Sequence, residues 1–221
     1  MGKDKIVIMN WGGVIENHCE ENFIFNPELK HVLQQFSETP IPNNYQEMMM
    51  NALKARNVTL NDMGKSKNIR LYLDKLFECF GMESYPEMYT DFMDTYTQFT
   101  SHLGYDRELV RYVTSIKDRC KIGILSNCIV LDAGRQNKEV GWNNFDYKWL
   151  SYEMAHVISE PEVPEIIEKE CGMKGSQILY VEDTEENLKR FNEERGWRTY
   201  KATYKATQNT IDAIERFLAE D

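Results

Sequence analysis

Three stretches of this 221-residue chain place polar or acidic groups directly after short apolar runs. They are Asn10-Trp11-Gly12-Gly13, Ser126-Asn127 and Glu182-Asp183-Thr184. Gly12-Gly13 marks a point where the backbone bends tightly or comes close to another group. Glu182 and Asp183 are adjacent carboxylates, and oxygen ligands of that kind suit a hard divalent cation. The acid-rich run over 182–186 also suits the positive end of a helix dipole with no ligand present. Ser126 fits a helix cap as readily as a ligand contact. Trp11 can wall a pocket or fill its mouth.

The elements that must position these groups follow from periodicity. Residues 5–9, Lys-Ile-Val-Ile-Met, form a short β-branched apolar run, as expected of a strand buried on both faces. From about 18 to 104 the pattern is helical. Asn26-Pro27-Glu28 reads as a helix start, and Ile69, Leu73, Leu76, Phe77 and Phe80 give one apolar stripe that ends at Gly81. A further helix is expected over 84–102, and Met48-Met49-Met50 with Leu53 reads as core of this region. Beyond Tyr105 helices and strands alternate. Strands are expected at 121–125, 147–150, 177–181 and 197–201, with helices around 109–116, 131–140, 161–171, 184–195 and 207–218.

Such alternation means an α/β fold: a doubly wound parallel sheet with helices on both faces. The first strand belongs to that sheet, so an all-helical module is inserted after it. The expected division is a core of 1–16 with 105–221, and a helical insert of 17–104. In such a sheet ligands sit beyond the carboxyl ends of the strands, where the three stretches above lie.

Composition narrows the partners. There are 26 Lys+Arg against 36 Asp+Glu, a formal net charge of −10, with 42% hydrophobic residues. The sign argues against nucleic acid and anionic membranes. A chain of this length buries roughly 70–75% of its unfolded surface and needs no staple. Five widely spaced cysteines without a CxxC pair read as reduced thiols in a cytoplasmic protein. Asn57-Val58-Thr59 matches a glycosylation sequon, without a secretion signal to give it meaning. No apolar run approaches the length of a spanning helix.

The order of the motifs resembles the haloacid dehalogenase-like (HAD) superfamily of phosphatases, dehalogenases and phosphomutases. Ile6-Val7-Ile8-Met9-Asn10-Trp11-Gly12-Gly13-Val14 is similar to its first motif and Ile124-Leu125-Ser126-Asn127 to its second. Ser151-Tyr152-Glu153 is similar to the approach to the third, and Val181-Glu182-Asp183-Thr184 to the fourth. The resemblance spans the chain and implies a HAD-like Rossmannoid core with a helical cap at 17–104. It implies a phosphate-binding role for Ser126. It also implies a Mg²⁺ site from residue 10, the Gly12 carbonyl, Glu182 and Asp183. Trp11, Gly12, Gly13 and Asn127 would then line the binding cleft.

The departures from that pattern carry the functional expectation. The family's aspartate nucleophile is Asn10 here, and an amide without negative charge cannot form the covalent ester. Gly12 stands where many of its phosphatases keep a general acid. A gap-free register from Ser151 puts Ile158-Ser159 at the third motif's Lys-Pro, with His156 nearby and no Lys or Arg between Tyr152 and Ile167. One negative and one positive charge have gone together. The expectation is a catalytically impaired or inactive protein with a weakened metal site, acting by binding a small molecule or a protein partner. The rival expectation is an active HAD-type hydrolase of non-standard mechanism, in which Lys148 or Lys121 supplies charge and Glu182 or Asp183 activates water.

Overall fold

The computed structural model describes residues 4–17, 29–55, 65–100 and 104–220. The expected helix start at Asn26, the sequon at Asn57, Cys19 and His102 lie outside them. Five parallel strands form one sheet in the order β3-β2-β1-β4-β5. They are β1 (Ile6–Asn10), β2 (Lys121–Ser126), β3 (Tyr147–Leu150), β4 (Ile178–Glu182) and β5 (Arg198–Lys201). All five were expected from the sequence, to within a residue at either end.

Pleating explains why β1 is apolar throughout. Val7 and Met9 face one layer, with Leu109, Val113, Ile214 and Phe217; Ile6 and Ile8 face the other, with Trp149, Val163, Phe191 and Trp197. The first layer is supplied by α5 (Arg107–Ser115), α6 (Val130–Val140) and α10 (Thr207–Ala219). The second is supplied by α8 (Val163–Cys171) and α9 (Glu185–Arg195), with the one-turn α7 (Ser151–Met154) between β3 and α8.

Between β1 and α5 come α1 (Leu29–Phe36), α2 (Tyr45–Ala55), α3 (Ile69–Cys79) and α4 (Pro86–Thr100). They bury a cluster of their own, in which Leu33, Met49, Leu73, Phe77 and Phe92 are inaccessible or nearly so. The apolar stripe read at 73, 76 and 77 lies here, with Met49 buried in the same cluster and Met50 packed against it; the Leu53 side chain lies outside the described residues. No strand occurs in this helical segment among the described residues. The two ends of the segment meet: Asp106 N donates to Ile15 O at 2.8 Å, and Glu16 bridges Tyr105. The segment rests on the sheet domain through α4 on α6, where Tyr96 Oη donates to the buried Asp132 carboxylate at 2.8 Å. No described helix is long and apolar enough to cross a membrane.

On the opposite flank, Glu215 of α10 takes a two-pronged hydrogen bond from Arg119 (2.6 and 2.8 Å) and another from Tyr112 of α5 (2.6 Å). The Arg119 guanidinium, then the Tyr112 hydroxyl, hold its carboxyl at about 2. A lowered folded-state value gives stability that is present above the unfolded value, near 4.5, and lost as pH falls through the folded one. Glu215→Gln is therefore expected to be less stable than the parent from neutral pH down to about 4.5, with the gap closing towards pH 2. Urea unfolding across that range measures it; a gap independent of pH would show that packing, not charge, holds the helices together.

Candidate active site

The carboxyl ends of β1, β2 and β4 are level. Met9 pairs with Val181, so the next residues, Asn10 and Glu182, stand side by side. Asn10 Nδ2 donates to Glu182 Oε1 at 2.7 Å, with both side chains buried. That oxygen also accepts from the backbone N–H groups of Asp183 (2.9 Å) and Thr184 (3.2 Å). The other oxygen accepts from Tyr180 Oη (2.5 Å) and Asn187 Nδ2 (3.2 Å). Five donors fill the roughly four lone-pair positions of a carboxylate, so Glu182 is saturated by the protein itself. Burial raises the Glu182 pKa above the usual carboxylate range and the adjoining Asp183 carboxyl adds to it, while the donors from Tyr180, Thr184 and Asn10 pull it down. Burial and the Glu182 charge together push the Tyr180 phenol well up, keeping it a donor.

Asp183 is packed differently. Gly13 has φ +69°, and a Cβ built on it would lie 2.3 Å from the Asp183 Cγ. Glycine is thus required twice, for the left-handed backbone and for the approach of the carboxylate. Ser126 is buried at the end of β2 beside Cys128, whose thiol is pushed up by burial and then by Asp132, with the Ser126 hydroxyl opposing. Asn127 spends its side-chain oxygen on the N–H of Ile158 at 2.8 Å, tying the second strand end to the third-motif loop.

That loop carries the clearest departure. Ile158 is buried in the second core layer, and Arg190 of α9 donates to the carbonyls of Ile158 and Ser159. Both lysines considered as substitutes are engaged in ion pairs. Lys121 begins β2, at its far end, and pairs with Asp146 at 3.4 Å; Lys148 lies in β3 and pairs with Glu153 at 2.9 Å.

A cation does stand at the cleft, and the sequence reading missed it. Arg135 of α6 is 3% exposed and forks onto Glu16 at 2.5 and 3.0 Å, while Trp11 Nε1 donates to the same carboxylate at 2.6 Å. The available signal was Asp132, Arg135 and Gln136 at spacings of three and four on the helix after Ser126, a polar face buried rather than solvated. With Trp11, Gly12, Ser126 and Asn127 these residues line a cleft of about 20 Å³, room for little more than a water molecule. Trp11 therefore both walls the cleft and fills it.

Because Glu182 is saturated, a metal at these strand ends would rest on one carboxylate, Asp183, with neutral oxygens from Asn10 and Gly12. That donor set fits Mg²⁺ as an ion retaining most of its own water.

Gly13→Ala is expected to destabilise the fold by roughly 2–4 kcal/mol, combining left-handed strain with displacement of Asp183. Gly172→Ala isolates the strain alone, since it has φ +72° with nothing within 4 Å of the added carbon. Equal losses in urea midpoint for the two variants would show that Asp183 is not held against Gly13.

No protein-family model and no curated protein matches the chain. Solved structures do. A HAD family enzyme from Bacteroides thetaiotaomicron superposes with a TM-score of 0.70 at 16% identity, over 96% of this chain and 99% of that one. A HAD-like family hydrolase from Porphyromonas gingivalis gives 0.66 at 18% identity over the whole of both chains. A 2-haloacid dehalogenase from Pseudomonas syringae pv. tomato gives 0.65 at 12% identity, covering 96% and 99%. The Bacteroides enzyme has also been solved with magnesium and inorganic phosphate, both as wild type and with one aspartate replaced by alanine. The chain therefore has the HAD fold.

Proposed function

We propose that this HAD-fold chain has given up covalent hydrolysis and acts as a binding or regulatory protein, with residues 17–104 as the cap over its strand-end cleft. The observation that carries the reading is the Asn10–Glu182 hydrogen bond. A nucleophile must present an electron pair to a substrate, whereas here residue 10 turns an N–H to a buried carboxylate and acts as a strut between β1 and β4. The apolar, buried Ile158 at the family's lysine position supports the same conclusion, since an isoleucine there offers no charge to a bound phosphoryl group.

A HAD neighbour carrying an aspartate-to-alanine change was solved with magnesium and phosphate. In this chain Asp183, the Asn10 oxygen and the Gly12 carbonyl would hold a hydrated Mg²⁺, which would supply positive charge to an anionic ligand. Arg135 orients the wall opposite through Glu16, and Ser126 offers a hydroxyl. The ligand is accordingly small, and it enters when the Tyr96–Asp132 contact between α4 and α6 opens.

Two measurements test the proposal. A panel of phosphate esters with and without Mg²⁺ is expected to give no turnover, and rates near 1 s⁻¹, in the ordinary enzyme range, would refute it. Restoring the acid, Asn10→Asp, is expected to leave turnover absent. It should also cost roughly 2–4 kcal/mol at pH 7, because two buried carboxylates then face each other. The folded-state pKa of that pair is raised, so the penalty is absent below the unfolded carboxylate value and grows as pH rises above it. Urea unfolding at pH 7 and pH 5 checks the sign. A large gain in turnover for Asn10→Asp would mean an otherwise intact catalytic site.

A further inference from the structure

Outside the strand ends, the loop between α7 and α8 gathers His156, Glu160 and Glu162, with one ligating atom from each lying within 4.8 Å of the others. His156 Nδ1 is 2.7 Å from Glu160 Oε2. Glu162 stands at the N-cap of α8, yet its side chain makes no capping hydrogen bond and is exposed. The loop that carries these groups is clamped. Ile158 N donates to Asn127, Glu160 N donates to Val157 O at 2.9 Å, and Arg190 holds the carbonyls of Ile158 and Ser159. Ala155, directly before His156, has φ 59°, a left-handed conformation that costs a non-glycine residue about 1 kcal/mol and re-aims the chain at that point. Ligands displayed on a clamped segment lose less freedom on binding than ligands on a loose one.

We propose that His156, Glu160 and Glu162 form a binding site for a first-row divalent transition metal, Zn²⁺ in particular, and that the ion competes with Lys65 for Glu160. The donor set is one imidazole nitrogen and two carboxylates, which balances the two positive charges and leaves a position for water. Imidazole selects zinc-like ions over Mg²⁺, which takes oxygen only. Glu160 already faces two cationic or polar groups, the Lys65 ammonium and the His156 ring. Lys65 belongs to the helical segment, close before α3, and its ion pair with Glu160 spans to the sheet domain. Metal binding would release that tie, linking the ion to how firmly the helical segment is held. This site is independent of the strand-end reading, and neither stands on the other.

Calorimetric titration of metal-free protein with Zn²⁺ tests the proposal, with Mg²⁺ as the control ion. One saturable Zn²⁺ site is expected, unaffected by millimolar Mg²⁺. His156→Ala and Glu162→Gln should each weaken it about tenfold or more. Lys65→Met should tighten it roughly three- to fivefold, since it removes the competing surface ion pair. Co²⁺ in place of Zn²⁺ offers a readout without substitution, broadening one set of ring resonances among the four histidines. Absence of saturable binding up to about 1 mM Zn²⁺, or an affinity unchanged in His156→Ala, would overturn the site. Unchanged affinity in Lys65→Met would overturn the competition with the helical segment.

Discussion

One buried carboxylate organises the functional end of this molecule. Glu182 is wholly inaccessible, and an ionised group in that position is costly unless its lone pairs are met. Here they are met from three elements at once: Asn10 at the end of β1, Tyr180 within β4, and the backbone of Asp183 and Thr184 with Asn187 at the start of α9. The same contacts that make the charge tolerable fix the level of β1 against β4 and the entry angle of α9. Asp183 is then carried to Gly13, where only a missing Cβ lets it fit. The geometry at this spot is that of a buried carboxyl group whose oxygens are met by the protein.

A second buried charge system does the same for the other wall. Glu16 follows the turn after β1, Arg135 lies on α6, and Trp11 completes the network, so the loop that carries the glycines is stapled to the helix after β2. That helix is in turn the one on which α4 rests, through Tyr96 and Asp132. Removing one partner of a buried pair is worth several kcal/mol, far more than a surface pair. The wall of the cleft and the seat of the helical segment are therefore mechanically the same element.

The fold and the strand-end positions were legible because they depend on local pattern. The apolar run at 6–9, the Gly-terminated helix at 163–171 and the alternation after Tyr105 each announce themselves within a dozen residues. What lay hidden depends on pairing across the chain. Glu16 and Arg135 are 119 positions apart, and nothing near either names the other. The orientation of the Asn10 amide is likewise set by Glu182, 172 residues away. Reading residue types placed both at the same strand ends but could not say which donates to which, and that direction distinguishes a ligand from a strut.

Asn10 and Ile158 are matched to one another through packing. A lysine at position 158 would have to leave the core layer that Ile158 now fills beside Trp149 and Val163, and it would need an anion to meet. Glu182 has no lone pair left to offer, and Asn10 carries no charge. Conversely, an aspartate at position 10 would face Glu182, while Arg135 is committed to Glu16 and Arg190 to the loop carbonyls. Each residue is thus compatible with the other's present identity and with little else. Introducing an aspartate at position 10 or a lysine at position 158 alone would leave a buried charge unmatched, so the two positions and the apolar packing around them would have to change together.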